Sequence, residues 1–490
     1  MVRHPVLVFA FAAAALGWTA PASAQSDNPA NAGVQFDFSL PGARSLALGG
    51  AFVAVADDAT AAWSNPAGLL ALTKQEVSFE GRAWEFSSAA VQRGHAFGNP
   101  SGIGFDTVSG LSEGTFSSWT GAPSFISYVY PTSRFAVAGY MHQLQKFKAS
   151  LESDGVFIRT TSPTTIVPGG AIDRAQPYTA DLEIGVTDYG GSVAARLGGG
   201  LSAGLSVVVS RFSLDATTNL YTYVPFNNFN AAVPPSSFTG VGQYYGPPDF
   251  SSQNAYTITT EEGDDTTAAV SAGLLWKAGN GKVSAGFAYR QGPTFSYASK
   301  SVFGPGIHRA GDFAKEGDVA DTEEITYAVP NVISAGAAVR PRDNLLLSFE
   351  YDRVQYSRLS ENTAEIYGVE ESPFPGEKEK GALIRNSLFF DDENQIRGGV
   401  EYAIVTPSAT LAVRFGLWHD PDHRMQFDRD NLTQQQRASI ARTDVRYQPG
   451  ENAVHYTPGF GVAFQRFQID AAVDLSDPVK TVSFSTVVRF

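Results

Sequence analysis

Residues 201–210 read LSAGLSVVVS, and this stretch indicates the class of fold. Its odd-numbered positions are apolar, and four of its five even-numbered positions are serine or glycine. Because successive side chains of a β-strand point to opposite faces, one face of this segment is apolar and the other is small and polar. That is the pattern of a strand with one side in lipid and the other side in an aqueous lumen.

The same alternation recurs along the chain from residue 75 to the end. It predicts fourteen strands, at 75–86, 122–130, 134–148, 178–197, 200–216, 256–277, 281–298, 324–340, 343–359, 393–405, 409–420, 453–464, 467–475 and 480–490. Pro330 and Pro458 fall inside two of these segments, and each predicts a bulge or a local break because proline cannot donate to the ladder.

The connections between these segments alternate between short and long. The short ones are tight turns rich in Gly, Pro, Asn and Asp, at 131–133, 198–200, 279–281, 341–343, 406–408 and 465–466. The long ones span 87–121, 149–177, 217–255, 299–323, 360–392 and 421–452. Short turns at one end and long loops at the other are typical of outer-membrane barrels, and closure removes exposed strand edges. We therefore predict an all-β fold, a transmembrane antiparallel β-barrel of about 14 strands.

Composition restricts the function further. Residues 1–24 have a basic start, an apolar run and a small-residue end, which predicts a secretory signal peptide. No cysteine is present, so disulfides and thiolate metal sites are excluded. The net charge of −14 argues against nucleic acid as a partner. No cofactor is predicted.

The segment 25–72 lacks strand alternation and predicts a separate N-terminal region. Gly49 and Gly50 predict a tight turn. Asp57 and Asp58 can cap a helical turn over 59–63, which Asn65-Pro66 would end. Read alone, Asn65, Pro66 and Ala67 are equally compatible with a simple helix stop.

Three stretches of this region, 42–51 (GARSLALGGA), 56–62 (ADDATAA) and 65–69 (NPAGL), resemble the N-terminal hatch of the FadL/TodX family of outer-membrane transporters for long-chain fatty acids and other hydrophobic compounds. Weaker similarities lie at 349–357, 397–402 and 414–418. The resemblance implies a hatch over 25–72 that plugs a barrel formed by 73–490. The hatch residues it points to are Gly49, Gly50, Asp57, Asp58, Asn65, Pro66, Ala67 and Gly68.

The resemblance also implies a mechanism. Ligand would bind between the extracellular loops and leave sideways through an inward kink in the third strand, 134–148, where Gly139 is the expected kink. The alternative is a PorV-like barrel that acts as a secretion shuttle and binds exported proteins, because the same N-terminal pattern occurs there.

A cluster of loop aromatics suggests where a hydrophobic ligand could bind. It consists of Phe226, Phe229, Tyr244, Tyr245 and Phe250, set among two Pro-Pro pairs. Water-facing loops have little other use for such a cluster, and the cluster predicts a capture site. The equally weighted alternative is that these rings pack the loop onto itself.

Other candidate sites are weaker. The set His419, Asp420, Asp422 and His423 has metal-ligand types but lies at a turn, and the run Glu261, Glu262, Asp264 and Asp265 reads as a solvated face. No metal site is predicted. A Ser-His lipid hydrolase that uses His142 is the enzymatic alternative, and we expect no catalysis.

Taken together, these patterns predict a passive transporter for fatty acid-like hydrophobic molecules in the bacterial outer membrane. The expected partners are outer-membrane lipid and lipopolysaccharide, and the barrel assembly machinery, which recognises a terminal aromatic such as Phe490. The barrel with its own plug is expected to work as a monomer.

Overall fold

A computed structural model describes residues 34–38, 40–96, 98–102, 104–160, 171–221, 246–306, 315–360, 388–427 and 444–490. The predicted signal peptide lies outside these residues. No helix within the described ranges combines the length and the apolar character needed to cross a bilayer.

The described strands are almost all antiparallel neighbours in one sheet. Their bounds are β1 Glu76–Ala96, β2 Gly110–Pro131, β3 Phe135–Ser153, β4 Phe157–Thr160, β5 Ala171–Arg174, β6 Tyr178–Gly198, β7 Leu201–Tyr221, β8 Ala255–Lys277, β9 Val283–Arg290, β10 Thr294–Phe303, β11 Val319–Ala328, β12 Val332–Arg342, β13 Leu345–Val354, β14 Leu388–Phe389, β15 Glu393–Val405, β16 Thr410–Asp420, β17 Gln426–Phe427, β18 Ala453–Ala463, β19 Phe467–Asp474 and β20 Val479–Arg489.

The described residues form fourteen strand crossings, which make up the wall of a closed barrel. β9 and β10 are two parts of one crossing, as are β11 and β12, while β4, β5, β14 and β17 are short pieces of the loops. The wall closes where β1 pairs with β20, from Glu76 opposite Arg489 to Phe86 opposite Val479. The predicted all-β fold and the number of strands are confirmed.

The exterior of the wall is apolar and the lumen side is polar. Large side chains such as Leu205, Val207 and Phe287 are exposed on the outside, whereas serines such as Ser206 and Ser210 are buried inside. This distribution is inverted relative to a soluble protein and is that of a membrane-spanning barrel.

The largest difference from the predicted strand bounds is at 87–121, which we expected to be a loop. β1 instead continues to Ala96 and β2 begins at Gly110, paired with each other along this whole length. Along 110–123 of β2 the side chains on both faces are partly exposed. The sequence there therefore lacks the alternating apolar positions by which a strand is predicted.

The two prolines behave as expected. Pro330 lies in the interruption between β11 and β12. On one side Pro458 pairs with Phe415 of β16. On the other side the ladder with β19 runs from Gly459 to Ala463, and it is broken at Pro458 before the isolated bridge of Tyr456 with Leu475.

The described N-terminal residues, 34–38 and 40–72, lie inside the barrel. They contain helix α1 (Ala43–Ala47), helix α2 (Ala61–Ser64) and a 3-10 helix, Pro66–Ala71. Their apolar side chains, including Leu48, Phe52 and Leu69, are fully buried. We name this segment the hatch; it fills the lumen where the wall supplies polar side chains.

Candidate functional site

Asn65 holds the centre of the hatch. Its side chain is fully buried and donates to the backbone oxygens of Val53, at 2.8 Å, and of Leu274 in β8, at 3.1 Å. Its Oδ1 accepts from the backbone N–H of Ala67 at 3.2 Å and so caps the 3-10 helix, whose first position is Pro66. Asn65 therefore joins two hatch segments to the barrel wall, which is more than the helix stop that the residue alone suggested.

Helix α2 starts two residues later than predicted, and its cap differs. The helix begins at Ala61 after Thr60, and Asp58 accepts from the backbone N–H of Thr60 at 2.9 Å. Asp57 does not cap it, because its carboxylate pairs with Arg44 and with Arg340 of the wall. Burial acts to raise the pKa of Asp57, but these cations outweigh burial and lower it.

Gly49, Gly50 and Gly68 each meet a local geometric demand. Gly49 and Gly50 have positive φ, of 66° and 76°, in the turn after α1. A Cβ on Gly68 would lie 2.2 Å from the backbone oxygen of Ala56. The three glycines thus permit the compact hatch backbone, and they carry no chemistry of their own.

Wall side chains hold the hatch by donating to its backbone or accepting from it. Glu350 of β13 accepts from the N–H groups of Phe52, at 2.6 Å, and Val53, at 2.7 Å. Other wall side chains donate to hatch carbonyls, namely Ser192, Ser202, Ser284, Arg290 and Arg397. Buried backbone groups need such partners, so the hatch is fixed rather than loosely held.

The wall also has lumen-facing glycines against which the hatch backbone lies directly. A Cβ on Gly273 would stand 2.0 Å from Oδ1 of Asn65, and one on Gly416 would stand 2.0 Å from the backbone nitrogen of Gly49. Hatch atoms also occupy the space that a Cβ on Gly204 or on Gly286 would take. Sequence reasoning missed this set, whose signal is glycine at the inward position of a strand.

An apolar cavity of about 40 Å³ lies between the hatch and the wall. Hatch residues Phe38 and Trp63 cover it, and wall residues including Leu144, Val208 and Ala269 line it. Two polar groups that border it are already engaged. Asp188 accepts from the indole N–H of Trp63 at 3.0 Å, and the guanidinium of Arg290 lies 5.0 Å from the centre of the Trp63 ring.

A second, polar cavity of about 580 Å³ lies on the other side of Phe38. Its lining includes the ionisable residues Asp352, Arg397, Asp420 and His455. Phe38, Arg290 and Val332 border both cavities, so Phe38 is one of the residues that lie between the apolar space and the polar one.

The third strand bends away from its neighbour. β2 and β3 pair only from Pro131 opposite Ala136 up to Phe125 opposite His142. Beyond that, 110–124 and 143–153 do not pair with each other, and we name this interruption of the ladder the β2–β3 gap. The upper part of β3 lies on the lumen side of β1, since Phe147 packs on Phe86 with ring centroids 4.9 Å apart.

The irregularity in β3 is five residues further along than predicted. Gly139 pairs regularly with Tyr128 on one side and Gly191 on the other. The bulge is at Leu144, because Gln143 lies opposite Thr187 and Gln145 lies opposite Val186. A bulge inserts an extra residue and bends its strand, which a glycine in a regular ladder does not.

Only one residue of the predicted capture cluster, Phe250, lies among the described residues. Phe226, Phe229, Tyr244 and Tyr245 lie outside the described residues. Phe250 is described, and its ring packs at 5.1 Å on Tyr221 at the end of β7.

The weaker candidate sites have other roles in the structure. Among the described residues, no group of three or more His, Cys, Asp or Glu side chains is placed to hold a metal. His423 bonds the backbone oxygen of Phe36 at 3.1 Å, and Asp264 pairs with Arg211 on the outside of the wall. Glu261 is buried, and alternation within β8 turns its neighbour Glu262 to the other face.

His142 is buried against Trp63, with ring centroids 4.5 Å apart. The string Gly200-Leu201-Ser202-Ala203-Gly204 has the form of a nucleophile motif, which the sequence analysis overlooked. It lies at the start of a strand rather than on a strand-to-helix turn, and Ser202 Oγ donates to Ala67 O and Leu275 O at 3.1 Å each. His142 therefore packs against the hatch, and Ser202 is hydrogen-bonded to it.

Several solved structures resemble this barrel with its internal hatch. A FadL homologue from Pseudomonas aeruginosa aligns over 92% of this chain and 99% of its own, at 16% identity and a TM-score of 0.56. The CymD monoaromatic hydrocarbon channel aligns over 93% and 99%, at 13% identity and a TM-score of 0.52. The chain has the FadL-type fold. A TodX monoaromatic hydrocarbon channel carrying the deltaS2 mutation aligns over 93% and 100%, at 13% identity and a TM-score of 0.51.

Other comparisons found no relative. No protein-family model matches the chain, and no curated protein matches it. At identities this low the likeness establishes the FadL-type fold.

Proposed function

We propose that this protein is a passive outer-membrane channel for long-chain fatty acids or other hydrophobic compounds, which it releases sideways into the bilayer through the β2–β3 gap. The observation that carries the proposal is the position of Leu144. This residue forms the bulge that bends β3 away from β2, and its side chain lines the apolar cavity.

The physical reason for a sideways route is the content of the lumen. The hatch fills the axis of the barrel and is bonded to the wall on several sides. A hydrophobic molecule gains about 0.8 kcal/mol for each methylene that leaves water for lipid. A gap in the wall beside an apolar cavity offers that gain without displacement of the hatch, and the hydrocarbon channels CymD and TodX share the fold.

The test is deletion of Leu144, which removes the extra residue of β3. Gln145 would keep Val186 as its partner and inward-facing Phe147 would stay inward, so the remaining pattern of β3 is preserved. The matched control is Leu144→Ala, which shortens the side chain but retains the bulge. Uptake of a labelled fatty acid and of labelled toluene is measured in a bacterial host that lacks its own channel of this kind.

We expect the wild type and Leu144→Ala to raise uptake above the empty host, and the deletion variant to lose most of that increase. Heat-modifiable migration on gels verifies that each barrel has folded. Equal uptake with and without the wild-type protein would refute transport, and full uptake by the folded deletion variant would refute the lateral route. Capture of a secreted protein together with no uptake would favour the secretion shuttle.

A further inference from the structure

A second opening lies in the wall between β8 and the crossing formed by β9 and β10. β8 pairs with β9 up to Ser271 opposite Arg290, and with β10 from Glu262 opposite Ala298. Between these points, eight residues of β8, 263–270, face seven residues, 291–297, without ladder pairing. We name this opening the β8–β10 gap.

Few links cross the β8–β10 gap. At its lower edge Gln291 N donates to Val270 O at 3.0 Å and Val270 N donates to Gln291 Oε1 at 3.3 Å, and further along Ser296 N donates to the Asp265 carboxylate at 2.8 Å. In a lipid-facing wall each unpaired backbone group is costly, so an interrupted ladder persists only where it borders protein or a cavity. Gln291, Gly292 and Pro293 at this gap do line the apolar cavity.

On the side away from β8, hydrogen bonds join the crossing of β9 and β10 to the crossing of β11 and β12. The gap therefore lies only on the β8 side. β11 and β12 are interrupted opposite the same place, but Val329 N donates to Pro293 O at 2.9 Å. Arg358 Nη1 donates to Gly292 O at 2.9 Å and to Val329 O at 2.8 Å. The guanidinium therefore bridges the two broken strands, and the gap is confined to the β8 side.

The two gaps border one cavity. The ladder leads from Gln143, beside the bulge of β3, through Thr187 and Arg211 to Thr266, in the middle of the β8–β10 gap. The apolar cavity follows the inner side of this panel, lined by Leu144 at one end and by Ala269 and Pro293 at the other.

The outer face of β8 changes character within this gap. Val270 and Ala268 face outward and continue the apolar exterior, while Thr266 and Asp264 are also exposed and are polar. The gap therefore crosses the boundary between the lipid-facing band and the polar rim. A molecule that leaves the cavity there would meet the interfacial region of the bilayer.

We propose that the β8–β10 gap is a second lateral portal, through which small apolar molecules pass between the apolar cavity and the bilayer. The proposal rests on the proposed function, since both portals share one cavity. It differs from that function in its exit and in the residues that control it.

The test blocks the cavity end of this portal. Ala269 is buried and lines the end of the cavity away from Leu144, so Ala269→Phe obstructs that end, while the matched control Ala268→Phe places the same ring on the lipid side. Purified full-length barrels in phosphatidylcholine vesicles are illuminated with an alkyl diazirine probe, and labelled residues are mapped by mass spectrometry. We expect label on inward-facing Pro293 in the wild type and in Ala268→Phe, and loss of that label in Ala269→Phe.

Uptake measured in the same variants distinguishes the two proposals. We expect the Leu144 deletion to retain a residual apolar uptake that the added Ala269→Phe removes. Label at Leu144 but none at Pro293, with uptake unaffected by Ala269→Phe, would overturn the second portal and leave the proposed function intact. No label at either residue and no uptake by the wild type would overturn both.

Discussion

Replacement of Asn65 by alanine should release the hatch locally while the barrel stays folded. The change removes three buried hydrogen bonds, to Val53 O at 2.8 Å, Leu274 O at 3.1 Å and Ala67 N at 3.2 Å. A typical bond contributes about 1 kcal/mol net, so the loss is about 3 kcal/mol. Since about 1.4 kcal/mol corresponds to a tenfold change, local opening of the hatch should become about 100-fold more frequent.

Hydrogen exchange with mass spectrometry measures this opening directly. Peptides that cover 61–72 should exchange faster in Asn65→Ala, while peptides from β6 should be unchanged. Asn219→Ala is the matched control, because the Asn219 side chain makes one long bond of 3.4 Å to Thr179 away from the hatch. Unchanged protection of 61–72 in Asn65→Ala would refute the role assigned to Asn65.

The aspartate variant separates the two kinds of bond that Asn65 makes. Asn65→Asp keeps an acceptor for Ala67 N but loses both donated bonds and sets a carboxylate against two carbonyl oxygens. We expect no rescue, because a buried charge without a donor is costly. Wild-type protection in this variant would mean that the donated bonds do not hold the hatch.

Four further predictions follow from the hatch contacts and the cavities. Gly273→Ala should destabilise the hatch, because its Cβ would lie 2.0 Å from Asn65 Oδ1, whereas Gly139→Ala, with open space around its Cβ, should leave hydrogen exchange unchanged; equal behaviour of the two variants would contradict the close approach. Glu350→Ala leaves the N–H groups of Phe52 and Val53 without their acceptor, at a cost of about 1–3 kcal/mol each, and Glu350→Gln should restore part of this in the same exchange assay; no difference between them would argue against the carboxylate as anchor. Phe38→Ala should join the apolar and polar cavities and admit bulkier ligands, measured as competition by branched hydrocarbons for uptake of the labelled probe, and an unchanged ligand size limit would show that Phe38 does not divide them. Burial acts to raise the pKa of Asp57, but Arg44 and the nearby cations lower it below the ordinary aspartate pKa of about 4. The ion pairs of Asp57 therefore stabilise the hatch above that ordinary pKa, and this stabilisation is lost as pH falls through the lower folded-state pKa. Hydrogen exchange of the hatch should accelerate in that low pH range in the wild type, and this pH dependence should be absent in Asp57→Asn.

Side-chain alternation and turn composition made the wall predictable. Each strand segment predicted from the sequence has its counterpart in the structure, and Pro330 does interrupt a crossing. The exception was 87–121, where β1 and β2 continue as a hairpin whose residues in β2 are partly exposed on both faces. Alternation arises only when the two faces meet different solvents, so a strand wet on both sides does not show it.

The sites were less predictable than the wall. The hatch motif was recognisable, but Leu274, the wall partner of Asn65, is 209 residues away in the sequence, and Glu350 is 298 residues from Phe52, so only closure of the barrel brings these groups together. The bulge at Leu144 was missed and Gly139 was favoured, because a bulge depends on the register with β6 and not on the conformational freedom of one residue.

The sequence by itself determined that the chain forms an antiparallel barrel of fourteen crossings, which face of each strand meets lipid, and that an N-terminal plug precedes it. Only the tertiary structure decided where neighbouring strands part company. The segments 256–277 and 281–298 were predicted as uninterrupted strands, yet their ladder is broken over 263–270. The physical reason is that alternation records the face on which each side chain lies, whereas pairing depends on main-chain groups that every residue shares, so a gap in the wall leaves no mark in the pattern.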